Sequence, residues 1–145
     1  EFQYDGFARR TRVLHRTLGV LNADTRSVWC GTRLCRETDG QSVGVLRLFF
    51  DDGLQEGGAA RFHSSDHQGS TREVSDGIGA IVEQLRFDPW GRQEMVGSAT
   101  DGAIAYAGYR RYSEMGVLLV RYRAYDPDVG RWLSPEPLGL GRGLS

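Results

Sequence analysis

The chain has 145 residues, with 18 basic side chains against 19 acidic ones, and every basic residue is arginine. A formal net charge of −1 removes the bulk attraction that drives non-specific binding to nucleic acid or anionic membranes. Twenty glycines against four prolines describe a turn-rich chain, and 39% hydrophobic residues supply apolar surface for one domain of ordinary size.

In chain order, the opening Glu1-Phe2-Gln3-Tyr4-Asp5 lacks the basic and apolar regions of a secretory signal, so an export address is expected elsewhere. Clean helical spacing is missing from any window of 12 or more residues, and glycine interrupts most candidates. Alternating, β-branched or aromatic runs predict strands at 11–14, 28–30, 43–50, 59–63, 80–87, 104–109 and 117–125. The chain therefore reads as all-β. Its longest aliphatic run, Val117-Leu118-Leu119-Val120, is far short of the roughly 20 apolar residues of a spanning helix, and no membrane span is expected.

Asp-Gly recurs at Asp5-Gly6, Asp39-Gly40, Asp52-Gly53, Asp76-Gly77 and Asp101-Gly102, a pair suited to turns that need positive φ, and predicts serial antiparallel hairpins. An imperfect repeat, aromatic-Asp-turn-Arg, places Asp5 with Arg9, Asp88 with Arg92, and Asp126 with Arg131. In each unit the aromatic ends a strand, Asp opens the turn, Gly or Pro sets φ, and Arg can return to the Asp or to nearby carbonyls. Units of this kind bury little surface alone and rely on stacked neighbours, which points to an extended sheet, a spiral or a propeller.

Several groups invite chemistry and have plainer readings. Cys30 and Cys35 lack zinc-ribbon spacing; a tight turn at Gly31-Thr32 would bring the thiols across a hairpin, but free thiols are the favoured expectation. His63-Ser64-Ser65-Asp66-His67 places two imidazoles and a carboxylate close in sequence, but i, i+4 ligands do not converge along a strand. No metal is expected, His67 is read as supporting the turn at Gln68-Gly69, and no cofactor is implied, since dinucleotide, phosphate-loop and nucleophile-elbow motifs are missing. Tyr106, Tyr109, Tyr112, Tyr122 and Tyr125 interleave with arginines; strand alternation makes this packed rings with charged outer residues, and no nucleic-acid partner is expected.

These motifs together resemble the YD-repeat or Rhs (rearrangement hotspot) family and its repeat-associated core. The resemblance runs through Tyr4-Asp5-Gly6-Phe7-Ala8-Arg9, Trp29-Cys30-Gly31-Thr32-Arg33-Leu34 (Cys30 standing where the family has Asp), and Phe87-Asp88-Pro89-Trp90-Gly91-Arg92. It is most specific in Tyr106-Ala107-Gly108-Tyr109 and from Arg121 through Tyr125-Asp126-Pro127-Asp128-Val129-Gly130-Arg131-Trp132-Leu133-Ser134-Pro135-Glu136-Pro137-Leu138-Gly139. It implies a β-sheet spiral closing into a hollow shell around a C-terminal toxin polypeptide held in cis, in an exported, secreted or cell-surface bacterial protein. Residues 1–103 would be repeat hairpins and 104–145 a truncated core segment that plugs the shell.

The resemblance also implies an aspartyl-type self-cleaving site. Motif matching carries an arginine onto Arg123, to stabilise the acid or a developing oxyanion, and the first carboxylate onto Glu136, where the family has Asp. A second carboxylate and the cut site would lie beyond Ser145. A dyad needs two carboxylates, so this stretch is expected to be a structural remnant, with Arg123 otherwise cross-linking strands by pairing with a carboxylate. Further readings are a competent self-cleaving core in a continued chain, and a carbohydrate-binding or adhesive module using Trp29, Trp90 or Trp132. Open strand edges are expected to pair with neighbouring repeats or with another copy.

Overall fold

The computed structural model describes residues 1–95 and 104–135; Glu136 and the Asp101-Gly102 pair lie outside them. The chain divides into two compact units, Glu1–Arg61 and Phe62–Ser145. The described residues hold no α-helix, only β-strands and two single 3-10 turns.

The first unit is an antiparallel meander of β1 (Phe2–Tyr4), β2 (Arg10–Thr17), β3 (Val20–Cys30), β4 (Arg33–Asp39), β5 (Val45–Phe50) and β6 (Gly53–Glu56), each strand pairing with the one before it. β7 (Ala59–Ser65) carries the chain onward. The second unit contains β8 (Thr71–Asp76), β9 (Ile81–Phe87) and β10 (Gln93–Met95), again a meander. A 3-10 turn at Tyr106–Gly108 then leads to a four-stranded sheet of β11 (Arg110–Tyr112), β12 (Val117–Leu119), β13 (Ala124–Asp126) and β14 (Arg131–Trp132).

The apolar core of the first unit is thin. Val13, Leu14, Phe49 and Leu54 are buried, and so are Arg10, Asp24, Glu37 and Arg47. The register explains how charge can be buried: Arg47 on β5 lies opposite Glu37 on β4 and opposite Glu56 on β6. Its guanidinium reaches Glu37 at 3.2 Å and Glu56 at 2.7 Å. Asp24 is held by Arg12 through two parallel bonds, Nε to Oδ1 at 2.7 Å and Nη2 to Oδ2 at 2.5 Å. Planar forks of this kind favour arginine over lysine.

Six turns share one device, in which an aspartate closes the loop it opens. In the five-residue corners that start at Asp5, Asp66, Asp76 and Asp88, Oδ1 accepts the backbone N–H groups of the third and fifth residues at 2.8–3.0 Å. The backbone N–H of the Asp bonds the carbonyl of the fifth residue, and the N–H of the fourth bonds the Asp carbonyl. The fourth residue sits in the left-handed region: Ala8 (φ 57°), Gly69 (80°), Gly79 (85°) and Gly91 (87°). In the corners starting at Asp39 and Asp126, Oδ1 takes the amides of the third and fourth residues, and the left-handed position moves to Val43 (60°) and Gly130 (64°).

Four expectations are corrected. The glycine directly after Asp does not supply positive φ in Asp5-Gly6, Asp39-Gly40, Asp52-Gly53 or Asp76-Gly77; in the Asp5, Asp39 and Asp76 corners that conformation falls later in the turn, because the Asp carboxylate must curl over the following amides. Residues 104–109 are not a strand: Ala107 (51°) and Gly108 (74°) are both left-handed and fold Tyr106 back. The run 117–125 is two strands, split where the Val120 N–H bonds the Arg123 carbonyl at 2.9 Å. Finally, Cys30 and Cys35 form a disulfide. The β3–β4 register skips one residue between the Val28–Arg36 and Trp29–Leu34 pairs, so Cys35 bulges out on the face of Cys30, with the Cα atoms 5.8 Å apart. β1, β4, β6, β8, β10, β11 and β14 lie outside the predicted strands.

Gly40 is fixed by Asp24: a Cβ there would lie 2.1 Å from the Asp24 carboxyl carbon, whereas one at Gly6 meets nothing within 4 Å. Gly40→Ala should therefore cost about 1–3 kcal/mol by urea unfolding, and Gly6→Ala less than about 1 kcal/mol. Equal effects at the two sites would contradict the packing.

The Arg12 bonds, outweighing the burial that opposes them, hold the Asp24 carboxyl below the usual carboxylate range; backbone amides of Gln41 and Ser42 do the same for Asp39. A depressed folded pKa gives stability that is present above the unfolded value of about 4 and is lost as pH falls through the lower folded value. Unfolding free energy should thus decline on acidification below about pH 4, with a shallower slope in Asp24→Asn.

Candidate functional site

The second unit brings three turns to one place. The 3-10 turn Tyr106–Gly108 lies against the corners at Asp66 and Asp88: the Ala107 N–H donates to Ser70 Oγ at 2.9 Å, the Thr71 N–H to the Ala105 carbonyl at 3.1 Å, and Tyr106 Oη to the Pro89 carbonyl at 2.9 Å. The Tyr106 ring meets Phe87 edge-on at 5.7 Å and covers Gly91 so closely that a Cβ there would come within 2.7 Å of it. Only glycine combines that contact with a φ of 87°.

The corner at Asp126 closes the arrangement. Tyr125 Oη donates to the Trp90 carbonyl at 2.9 Å, and burial raises that phenol's pKa above its ordinary value. Arg92 Nη2 donates to the Asp128 carbonyl, with Nε 3.6 Å from the Asp128 carboxylate. The sequence-predicted residues thus separate by role. Arg9 returns to its own Asp5, Nε and Nη2 each 2.8 Å from Oδ2. Arg92 donates only its backbone N–H to Asp88 and sends its guanidinium to another corner. Arg131 is exposed and stands opposite Asp126 in the β13–β14 register.

Arg123, the arginine expected at a cleavage site, stacks on Trp132 with its guanidinium carbon 3.9 Å from the ring centroid. Tyr125 and Tyr109 pack against the same indole at 5.3 and 6.3 Å. The Leu133 N–H bonds the Ala124 carbonyl at 2.9 Å, which leads the chain past Arg123 toward Ser134 and Pro135. Its partner in the expected chemistry, Glu136, is outside the described residues. His63 is half-buried, and burial lowers its imidazole pKa; His67 is the exposed second residue of the Asp66 corner.

Sequence reasoning missed one element of the site. Glu83 is buried on β9, and Arg111 on β11 reaches its Oε1 at 3.2 Å, tying the meander to the four-stranded sheet. Alternation along β9 held the signal, since Glu83 shares its inward face with buried Leu85. Beside this pair is a cavity of about 370 Å³, lined by Phe87, Arg92, Gln93, Val117, Leu118 and Pro127 among others.

The fold and this clasp define an all-β chain of serial hairpins in which the Asp66 and Asp88 corners are held against the Tyr106–Gly108 turn and the small second sheet. No family model matches the chain. It is 42% identical, over 99% of its length, to the probable deoxyribonuclease RhsB of Dickeya dadantii, covering 11% of that protein. It is 37% identical over 62% of its length to the toxin protein Tse5 of Pseudomonas aeruginosa, covering 7% of it. Double-stranded DNA deaminase toxin A of Burkholderia cenocepacia matches at 32% identity over 58% of the chain and 6% of the relative. Among solved structures, a TcdB2-TccC3 crystal structure superposes with a TM-score of 0.67 at 20% identity, covering 98% of this chain and 8% of that one. A Photorhabdus luminescens Tc holotoxin pore gives 0.66 at 19%, covering 95% and 8%. The chain belongs to the Rhs family, and spans about a tenth or less of the relatives it matches.

Gly91→Ala should loosen the clasp, costing about 2–4 kcal/mol because both φ and the Tyr106 contact fail, while Tyr106→Phe should cost only about 0.5–1.5 kcal/mol for one hydrogen bond. Urea unfolding followed by tryptophan fluorescence, with Trp90 and Trp132 as reporters, measures both.

Proposed function

We propose that the chain is a wall-and-plug segment of an exported Rhs toxin, with residues 1–103 continuing a hairpin shell, 104–145 forming the core segment, and both serving to enclose and present a toxin polypeptide that follows in cis. The observation that carries this reading is the clasp: the Asp66, Asp88 and Asp126 corners are joined through Tyr106, Tyr125 and Arg92, so the small sheet is seated on the ends of hairpins. Such a seat suits a plug held on a wall. The toxin names of the matched relatives and the shared fold with TccC3-containing structures support it. In the whole protein, limited proteolysis should leave the C-terminal polypeptide intact while the β-shell is folded, and degrade it once denaturant opens the shell. Digestion of that polypeptide at the same rate in the native protein would rule out enclosure.

A second reading, self-cleavage, is favoured by the bond from the Leu133 N–H to the Ala124 carbonyl, which brings the approach to Glu136 alongside Arg123. Intact mass of a chain extended past Ser145 should then show a single cut that is lost in Glu136→Ala and slowed in Arg123→Ala. An uncut extended chain restores the purely structural assignment.

A further inference from the structure

The β3–β4 hairpin tip differs from the Asp corners. It has only two residues, Gly31 and Thr32, between the paired Cys30 and Arg33, and so has no aspartate to cap it. Yet it is the middle of three tips joined by arginines. Arg9, already bound to Asp5 in the β1–β2 corner, donates from Nη1 to the Gly31 carbonyl at 3.2 Å. Arg33 pairs with Asp51 in the β5–β6 turn. The tip thus receives one guanidinium and supplies another, and the Cys30–Cys35 bond spans its base. With Cys30 exposed and Cys35 half-buried, the bond is reachable from solvent.

We propose that Cys30–Cys35 is a thiol-exchange site, opened by a small thiol or a protein dithiol without unfolding the sheet, and that its opening releases the arginine lace across the three tips. The reaction is a two-electron exchange. A reductant thiolate attacks Cys30 Sγ, the Cys30–Cys35 bond breaks, and the Cys35 thiolate leaves and takes a proton from solvent. A second reductant thiolate then attacks the mixed disulfide, forming the oxidised reductant and freeing Cys30 as a thiolate that is protonated in turn. The loop closed by the bond is short, so its constraint is local. Reduction lets the bulge at Cys35 relax and Gly31 and Arg33 lose their fixed positions, so Arg9 loses its preorganised Gly31 carbonyl and Asp51 its preorganised guanidinium. The remaining ladder between Thr25 and Val28 on β3 and their β4 partners does not depend on the bond. The chain would be looser at this end in a thiol-reducing compartment and stitched in an oxidising one.

The test equilibrates the purified chain with mixtures of reduced and oxidised glutathione, alkylates free thiols, and reads intact mass alongside amide hydrogen exchange. The dithiol should accumulate without denaturant, with exchange rising about tenfold or more at Gly31–Arg33 and at the Arg9 corner, and unchanged in β8–β10. The Cys30→Ser, Cys35→Ser double variant should show the same pattern with no reductant present. The proposal is overturned if the bond resists glutathione until the chain unfolds, if reduction leaves exchange at the Arg9 corner unaltered, or if the double variant loses the sheet altogether.

Discussion

Everything in this chain hangs on one aspartate oxygen that accepts two amides of its own turn. A tight turn leaves backbone N–H groups pointing outward with no strand to pair them, and an unpaired donor is costly wherever water is displaced. The Asp5, Asp66, Asp76 and Asp88 carboxylates meet that cost with Oδ1 and keep Oδ2 for another partner. In two corners that partner is an arginine fork, Arg9 on Asp5 and Arg72 on Asp66. The preference for arginine follows from this geometry: a planar guanidinium can engage a carboxylate and still reach a carbonyl on the next turn, as Arg9 does with Gly31, whereas a lysine ammonium is a single point charge.

Because the corner is self-sufficient, the strands between corners are freed from making a deep core. The first unit places Arg10, Asp24, Glu37 and Arg47 in buried positions beside only a few aliphatic side chains. Replacing either member of a buried pair strands the other, so these charges add specificity of register: Arg47 can meet both Glu37 and Glu56 only if β4, β5 and β6 are aligned as they are. A one-residue slip would send that guanidinium to the other face of the sheet.

This division explains what could be read in the sequence. Local features were legible: Asp as the opener of turns, Arg9 four residues on, and the all-β class all follow from neighbours in the chain. β4 and β8 were not, because Arg33-Leu34-Cys35-Arg36-Glu37-Thr38-Asp39 buries Glu37 and Thr38, Thr71-Arg72-Glu73-Val74-Ser75-Asp76 buries Thr71 and a single aliphatic residue, Val74, and a hydrophobic pattern search passes over both. In the Asp5, Asp39 and Asp76 corners the positive-φ residue was misplaced because the Asp-Gly pair is a hairpin signal only when the turn is short, and these corners are five or six residues long. The disulfide depended on a bulge, and Arg92 with Asp128 or Arg111 with Glu83 depended on tertiary meetings, which no local spacing encodes.

The clasp shows how repeated hairpin corners come to hold a second sheet. It is built largely from what each corner leaves over: the Pro89 and Trp90 carbonyls, the open face of Gly91, the hydroxyl of Ser70 and the fork of Arg92. A corner whose arginine folds back onto its own Asp keeps its guanidinium at home, as Arg9 and Arg72 do, and the Asp66 corner joins the clasp through Ser70 instead. At the Asp88 corner the carboxylate caps the turn but the guanidinium is released to Asp128, so the same motif becomes a receptor for another sheet. At the Asp88 corner the seat therefore depends on where Arg92 points, and Gly91, whose open face lets Tyr106 close over the turn, makes that contact possible.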